Sequence, residues 1–263
     1  MTNYEIKPER QKALNSLGKS IPGNVPVRAP ENTKQFPYWF VGKLSMEFPN
    51  GKKYLGTGTL IAAKFKGDTG LYVLTCAHNL YDKSDGGRAI KVSFQRGLNG
   101  QATPPYPVVE AVDWHYPAGY PSNSIPRNLD KSQLGSNLLR TSEALDYGLV
   151  KLKEKIEVTN APEIVAKDNR ELHRLNVKLV GLYGWEGHKN NMYVGTGEIT
   201  VINPEQLGYP ISTALGTSGT AVMTEDYSSI VAVHTHAGLP GDDHNYGRRM
   251  TDEVIEEIRG WQE

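Results

Sequence analysis

The chain is poor in several things that other folds lean on. It has one cysteine, Cys76, among 263 residues, so no internal disulfide can form and a disulfide-stapled small scaffold is excluded. A chain of this length, one large domain or two fused small ones, buries a core that does not need such support. It has no run approaching the roughly 18 apolar residues of a membrane-spanning helix. Its first stretch, MTNYEIKPERQKALNSLGKSIPG, lacks the apolar segment of an export signal. As written it reads as soluble and cytoplasmic, the alternative being export by a route these residues do not show. It has no charge excess either. Lys plus Arg equals Asp plus Glu at 29 each, so neither nucleic acid nor a membrane surface is an expected partner. The composition leaves the oligomeric state open.

What is present is glycine and proline, 27 and 16 residues, with only 22% charged residues. That balance favours a loop-rich globular protein over a helical bundle. Residues 1–34 are polar and carry Pro8, Pro22, Pro26 and Pro30; they read as an N-terminal arm or a pro-segment. From Phe36 onward short β-type runs recur, among them YWFVGKLSMEF, LYVLTCA, YGLVKLK and SIVAVHTH. Turn signals separate them: Pro49-Asn50-Gly51, Gly67-Asp68, Asp85-Gly86-Gly87 and Asn99-Gly100. This spacing predicts an all-β sandwich or barrel, and the lack of alternating helices argues against a doubly wound α/β fold. Residues 116–144, rich in Pro, Ser and Asn, read as a long surface loop. The C-terminal TDEVIEEIRGW predicts one helix, with Thr251 placed to cap it and Asp252 and Glu253 at its positive end. Val254, Ile258 and Trp261 share one face of it.

One stretch suggests chemistry. In ISTALGTSGTAVM, residues 211–223, Ser218 lies between Gly216 and Gly219. Glycine, serine and threonine also make ordinary turns, so the stretch needs partners before it means more. A serine hydroxyl becomes a nucleophile when a base takes its proton and a third group fixes that base. His78, in LYVLTCAHNLYD, follows an apolar strand, and Asp146, in EALDYGLVKL, heads another. The order is His, Asp, Ser. The α/β-hydrolase order runs Ser, Asp, His and needs glycine two residues after the serine, where this chain has Thr220.

On these motifs the chain resembles the trypsin-like serine peptidases, in their glutamyl-endopeptidase-like branch, from about Pro37 to the C-terminus. FPNGKKYLGTGTLIA resembles the hairpin of the first barrel, LTCAH the histidine motif and DYGLVKL the aspartate strand. GLYGW followed by GTGEITVI resembles the entry to the second barrel, and LGYPISTALGTSGTAVM the serine loop. The resemblance implies two packed six-stranded antiparallel β-barrels with a C-terminal helix. The first would span 35–155 and carry His78 and Asp146; the second would span 156–263 and carry Ser218. It implies a serine endopeptidase acting on protein or peptide substrates through an acyl-enzyme. His78 would be the base, Asp146 its partner, and the Gly216 and Ser218 amides an oxyanion hole. Thr213 and His234 would line a P1 pocket that prefers Glu, with Asp weaker. No cofactor or metal is implied. A histidine base also predicts loss of activity in acid.

The departures from that family are specific. Thr217 stands where trypsins carry the Asp that pairs with a freed N-terminus, a residue the glutamyl branch also lacks, so this departure favours that branch. Thr220 and Ala221 replace a small residue and proline, and His236 and Ala237 stand where the branch has glycines. Cys76 is expected to be a small buried residue. Two rival readings remain. HTHAGLPGDDH places His234 and His236 near Asp242, Asp243 and His244, types that suit zinc, but Gly238 and Leu239 break the H-x-H-x-D-H pattern. The other rival is a catalytically inactive trypsin-like module that binds peptides or partners.

Overall fold

The structure, a computed structural model, describes residues 27, 29–30, 32–63, 68–100, 103–127, 136–183, 191–238 and 242–263, without the side chains of 136–139. Most of the expected arm, the turn residue Gly67, Trp185 and Leu239 lie outside these residues.

The first half forms a closed barrel. Its strands are β1 (Val41–Glu47), β2 (Lys53–Leu60), β3 (Tyr72–Thr75), β6 (Lys91–Arg96), β7 (Val109–His115) and β8 (Gly148–Leu152), in the order β1-β2-β3-β8-β7-β6. A two-stranded ribbon, β4 (Tyr81–Asp82) and β5 (Gly87–Arg88), lies beside it. Alternate residues Leu44 and Met46 of β1 and Val92 and Phe94 of β6 point inward and are buried, as the two-residue period of a strand requires. The Asn50-Gly51 signal does make the β1–β2 hairpin, with Gly51 at φ 81°, a left-handed conformation that favours glycine. Asp85, at another of the predicted turns, is buried and accepts from Lys52 Nζ and Asn50 Nδ2 at 2.9 Å each. Burial alone would raise its carboxyl pKa, but those donors and Tyr54 hold it below the usual value.

The second half makes the expected second β unit, as a half-barrel sheet. Its strands are β9 (Glu163–Ile164), β10 (Asn176–Tyr183), β11 (Asn191–Glu198), β12 (Val201–Ile202), β13 (Gln206–Tyr209), β14 (Ala221–Thr224), β15 (Ser229–Ala237) and β16 (Asn245–Arg249). They form a half-barrel sheet in the order β11-β10-β14-β15-β16-β13-β12, with β9 parallel to β15. The ladder does not close between β11 and β12. The Ile211 side chain occupies the space that side chains at Gly195 and Gly197 of β11 would need, so packing replaces pairing there. One apolar cluster, including Leu60, Leu74, Val180 and Val233, runs through both halves and joins them.

Residues 116–144 are not a structureless loop. They contain two helices, α1 (Tyr120–Asn123) and α2 (Ser136–Ala144). Tyr120 is the anchor, buried against Tyr81 at 6.2 Å between ring centroids. A further short helix, α3 (Asn169–Leu172), begins with a capping box between Asp168 and Glu171. The C-terminal helix, α4 (Asp252–Gly260), buries Val254 and Ile258 as expected, and Trp261 stacks on Tyr147 at 5.8 Å. Thr251 occupies the cap position, but its side chain makes no capping hydrogen bond. Of residues 1–34, Val27 is buried with Tyr183 and Tyr193, and Thr33 Oγ1 donates to the Gly97 carbonyl. No helix among the described residues is long and apolar enough to cross a membrane.

Candidate active site

Strand pairing brings His78 and Asp146 together. β3 and β8 are antiparallel, with Thr75 opposite Gly148. The chain leaving β3 enters a 3-10 turn, Ala77–Asn79, while the chain entering β8 passes through Asp146. The approach is close: a Cβ on Gly148 would lie 2.7 Å from a Leu80 methyl, just after the turn that carries His78, and 2.8 Å from the His115 carbonyl oxygen of β7. Asp146 is buried and holds His78 at two points. Oδ2 lies 2.7 Å from Nδ1 of the ring, and Oδ1 accepts from the main-chain N–H of His78 at 2.9 Å. The bidentate grip leaves Nε2 as the ring nitrogen available for chemistry.

Cys76 Sγ lies 3.5 Å from that Nε2. The thiol is fully buried, and burial, then the Asp146 charge, pushes its pKa well up. Among the described residues, Cys76, His78 and Asp146 have metal-ligating atoms within 4.8 Å of one another, although both Asp146 oxygens already engage His78. The rival zinc stretch does not converge. His234 meets Tyr209, His236 meets Glu143 at 3.2 Å, and His244 meets Asp242 at 3.0 Å.

Ser218 sits in a turn clamped by the first barrel. Its carbonyl accepts from Thr57 N at 2.9 Å and Asn79 Nδ2 at 3.0 Å, and the Gly216 carbonyl accepts from Thr57 Oγ1 at 2.8 Å. Thr57 Oγ1 in turn accepts from Leu182 N at 3.0 Å, and Thr75 Oγ1 donates to the Thr57 carbonyl at 2.9 Å. Gly216 and Gly219 have φ of 92° and 90°, and a side chain on Gly219 would strike Thr75 and the Thr57 main chain. The amides of this turn alternate. Thr217 N donates to Ala214 O at 3.1 Å and Gly219 N to His234 O at 2.9 Å. The Gly216 and Ser218 amides have no acceptor among the described residues. Ser218 is partly exposed, and among the described residues its Oγ makes no hydrogen bond, to His78 included.

Thr57, Thr75 and Asn79 are the residues the sequence reading missed. All three are buried. The available signal was a polar side chain directly after His78 facing a strand glycine: the Asn79 amide fills the space that a side chain on Gly56 would need.

Thr213 and His234 are both buried, at 6% and 3% exposure, and His234 is tied to the serine turn through its main chain, donating to Thr220 O at 2.7 Å. Its Nδ1 lies 2.9 Å from Tyr209 Oη. Burial, then the nearby His78, pushes its pKa down to about 3, against a hydrogen bond with the Tyr246 main chain and the Asp146 charge. This imidazole is therefore neutral at ordinary pH and acts as a hydrogen-bonding group. His236 stacks on Tyr246 at 5.5 Å, and its partner Glu143, on α2, also accepts from Gln206 Nε2 at 2.8 Å.

No protein-family profile matches the chain. It is 25% identical over 250 residues to a glutamyl endopeptidase of Bacillus licheniformis, covering 92% of this chain and 69% of that protein. The fold is similar to a solved Glu endopeptidase, with a TM-score of 0.72 and 21% identity over 92% of this chain and 99% of the other. It is also similar to the protease Anisep from Arthrobacter nicotinovorans, with a TM-score of 0.67 and 14% identity over 90% of this chain and 99% of the other.

Proposed function

For a chain that is a trypsin-like serine peptidase of glutamyl-endopeptidase-like type, we propose a Ser-His-Asp mechanism with a preference for Glu at P1. Ser218 Oγ attacks the scissile carbonyl carbon as His78 Nε2 takes its proton. The oxyanion that forms is received by the Gly216 and Ser218 N–H groups. Collapse breaks the C–N bond, and the leaving amine takes the proton back from His78. Water, deprotonated by His78, then attacks the acyl carbon; the bond from that carbon to Ser218 Oγ breaks, and His78 returns the proton to Oγ. Asp146 keeps the ring oriented and stabilises its charged form. The observation that carries this reading is the alternation of amides in the serine turn: Thr217 N and Gly219 N have internal acceptors, whereas the Gly216 and Ser218 amides that an oxyanion needs have none among the described residues. Each such donor contributes on the order of 3 kcal/mol to transition-state stabilisation.

The P1 preference is supported by the hydroxyl of Thr213, the neutral imidazole of His234 and the likeness to a glutamyl endopeptidase. An acidic side chain would be recognised through hydrogen bonds in a narrow pocket. Cleavage-site profiling on a peptide library, with Ser218→Ala as control, tests catalysis and preference together. Fluorophosphonate labelling that disappears in Ser218→Ala supports the peptidase. The lack of a Ser218–His78 hydrogen bond favours the second reading, an inactive peptide-binding module, and absence of labelling of the intact chain would decide for it.

A further inference from the structure

We infer that Arg127 is a positioning residue for His78, supplied by residues 116–127, the described stretch after β7; this rests on the proposal that His78 is the base. Asp146 fixes the ring and the main-chain N–H of His78. The carbonyl of the same residue is held by Arg127, whose Nη2 donates to it, the donor it has among the described residues.

The guanidinium is itself fixed. Its Nε lies 3.0 Å from Asp82 Oδ2, off the axis of a good hydrogen bond, and its Cζ lies over the Tyr54 ring, 4.0 Å from the centroid. The Asp82 side chain is 1% exposed, and its Oδ1 accepts from the amide and hydroxyl of Ser84 at 2.8 and 2.6 Å. The segment that delivers Arg127 is anchored by Tyr120 against Tyr81, by Lys83 Nζ on the Ser122 carbonyl at 3.0 Å, and by Arg127 N on Asp82 Oδ2 at 3.3 Å. A stretch outside both barrels thereby fixes where the main chain of His78 lies. Only a planar fork can reach a carbonyl with one edge and a carboxylate with another while placing its charge over a ring, so lysine cannot substitute fully. Among the described residues Arg127 makes no hydrogen bond, ion pair or ring contact with Thr213 or His234, so its loss should act on the chemical step and leave substrate binding alone.

The test compares Arg127→Lys, Arg127→Gln and Arg127→Ala with the parent. Active sites are counted by the end point of fluorophosphonate labelling, and kcat is expressed per labelled site. Displacing a base by a fraction of an ångström should lower kcat by about tenfold or more with KM nearly unchanged. Guanidinium ion should restore part of the Arg127→Ala loss, whereas the same concentration of sodium chloride should not. If Arg127→Gln or Arg127→Ala does not fold, Arg127→Lys, which keeps the charge beside Asp82, carries the comparison. Unchanged kcat per labelled site in Arg127→Lys, whether or not fewer sites are labelled, overturns the inference and leaves the peptidase reading intact. A parent chain that neither labels nor cleaves overturns that reading, and the inference with it.

Discussion

Acidification should destabilise this protein through His234, by an amount the structure sets. The ring has an ordinary pKa of 6.5 in the unfolded chain and about 3 in the folded one. Between those values the unfolded chain binds a proton that the folded chain does not, so stability is full above 6.5 and falls as pH drops towards 3. At about 1.4 kcal/mol per pH unit, moving from pH 7 to pH 5 removes about 2 kcal/mol. For a chain of this size that corresponds to a fall of about 4–8 °C in melting temperature. The assay is urea unfolding at both pH values on a Ser218→Ala background, which prevents self-digestion. The same measurements are then made with His234→Gln, which cannot titrate. The pH-dependent loss should shrink by about 2 kcal/mol in that variant, even though the substitution lowers stability at pH 7 by disturbing the Tyr209 contact. Equal losses in both proteins, or an imidazole NMR titration of His234 near 6.5, would refute the reasoning.

Thr57→Val keeps side-chain volume but removes the hydroxyl shared by Leu182 N and the Gly216 carbonyl. Urea titration should show a loss of roughly 1–3 kcal/mol, typical of stranding a buried polar group, and kcat should fall with it. Asp146→Asn should leave the fold intact but hold the imidazole in the wrong tautomer, lowering kcat by about 10⁴-fold; stopped assays with a chromogenic peptide would measure it. Ellman's reagent should find Cys76 unreactive in the native chain and fully titratable in denaturant, because burial both blocks the thiol and raises its pKa.

The two ends of this site differ in how readable they were. His78 and Asp146 could be found because each adjoins an apolar strand, and antiparallel pairing of those strands does the rest. Thr57 and Thr75 could not, because a threonine in GTGTL or VLT looks like any strand former; their role exists only where the two halves meet. The open edge of the second sheet was equally hidden. Gly195 and Gly197 look like turn or bulge residues in sequence, and only the arrival of Ile211 explains them. In residues 116–144 the abundance of Pro, Ser and Asn masked single anchors, Tyr120 and Arg127, that order the segment. The serine turn was legible as a turn, but the direction of its amides depends on carbonyl partners 139 and 159 residues away in the chain.

The amide of Asn79, lodged against Gly56 and bonded to the Ser218 carbonyl, has a consequence for handling the protein. The seam it closes contains no sulfur–sulfur bond, and the lone thiol nearby has nothing to pair with. Reductants such as dithiothreitol should therefore leave turnover untouched, and the molecule should keep its working geometry at any ambient redox potential that spares the thiol itself.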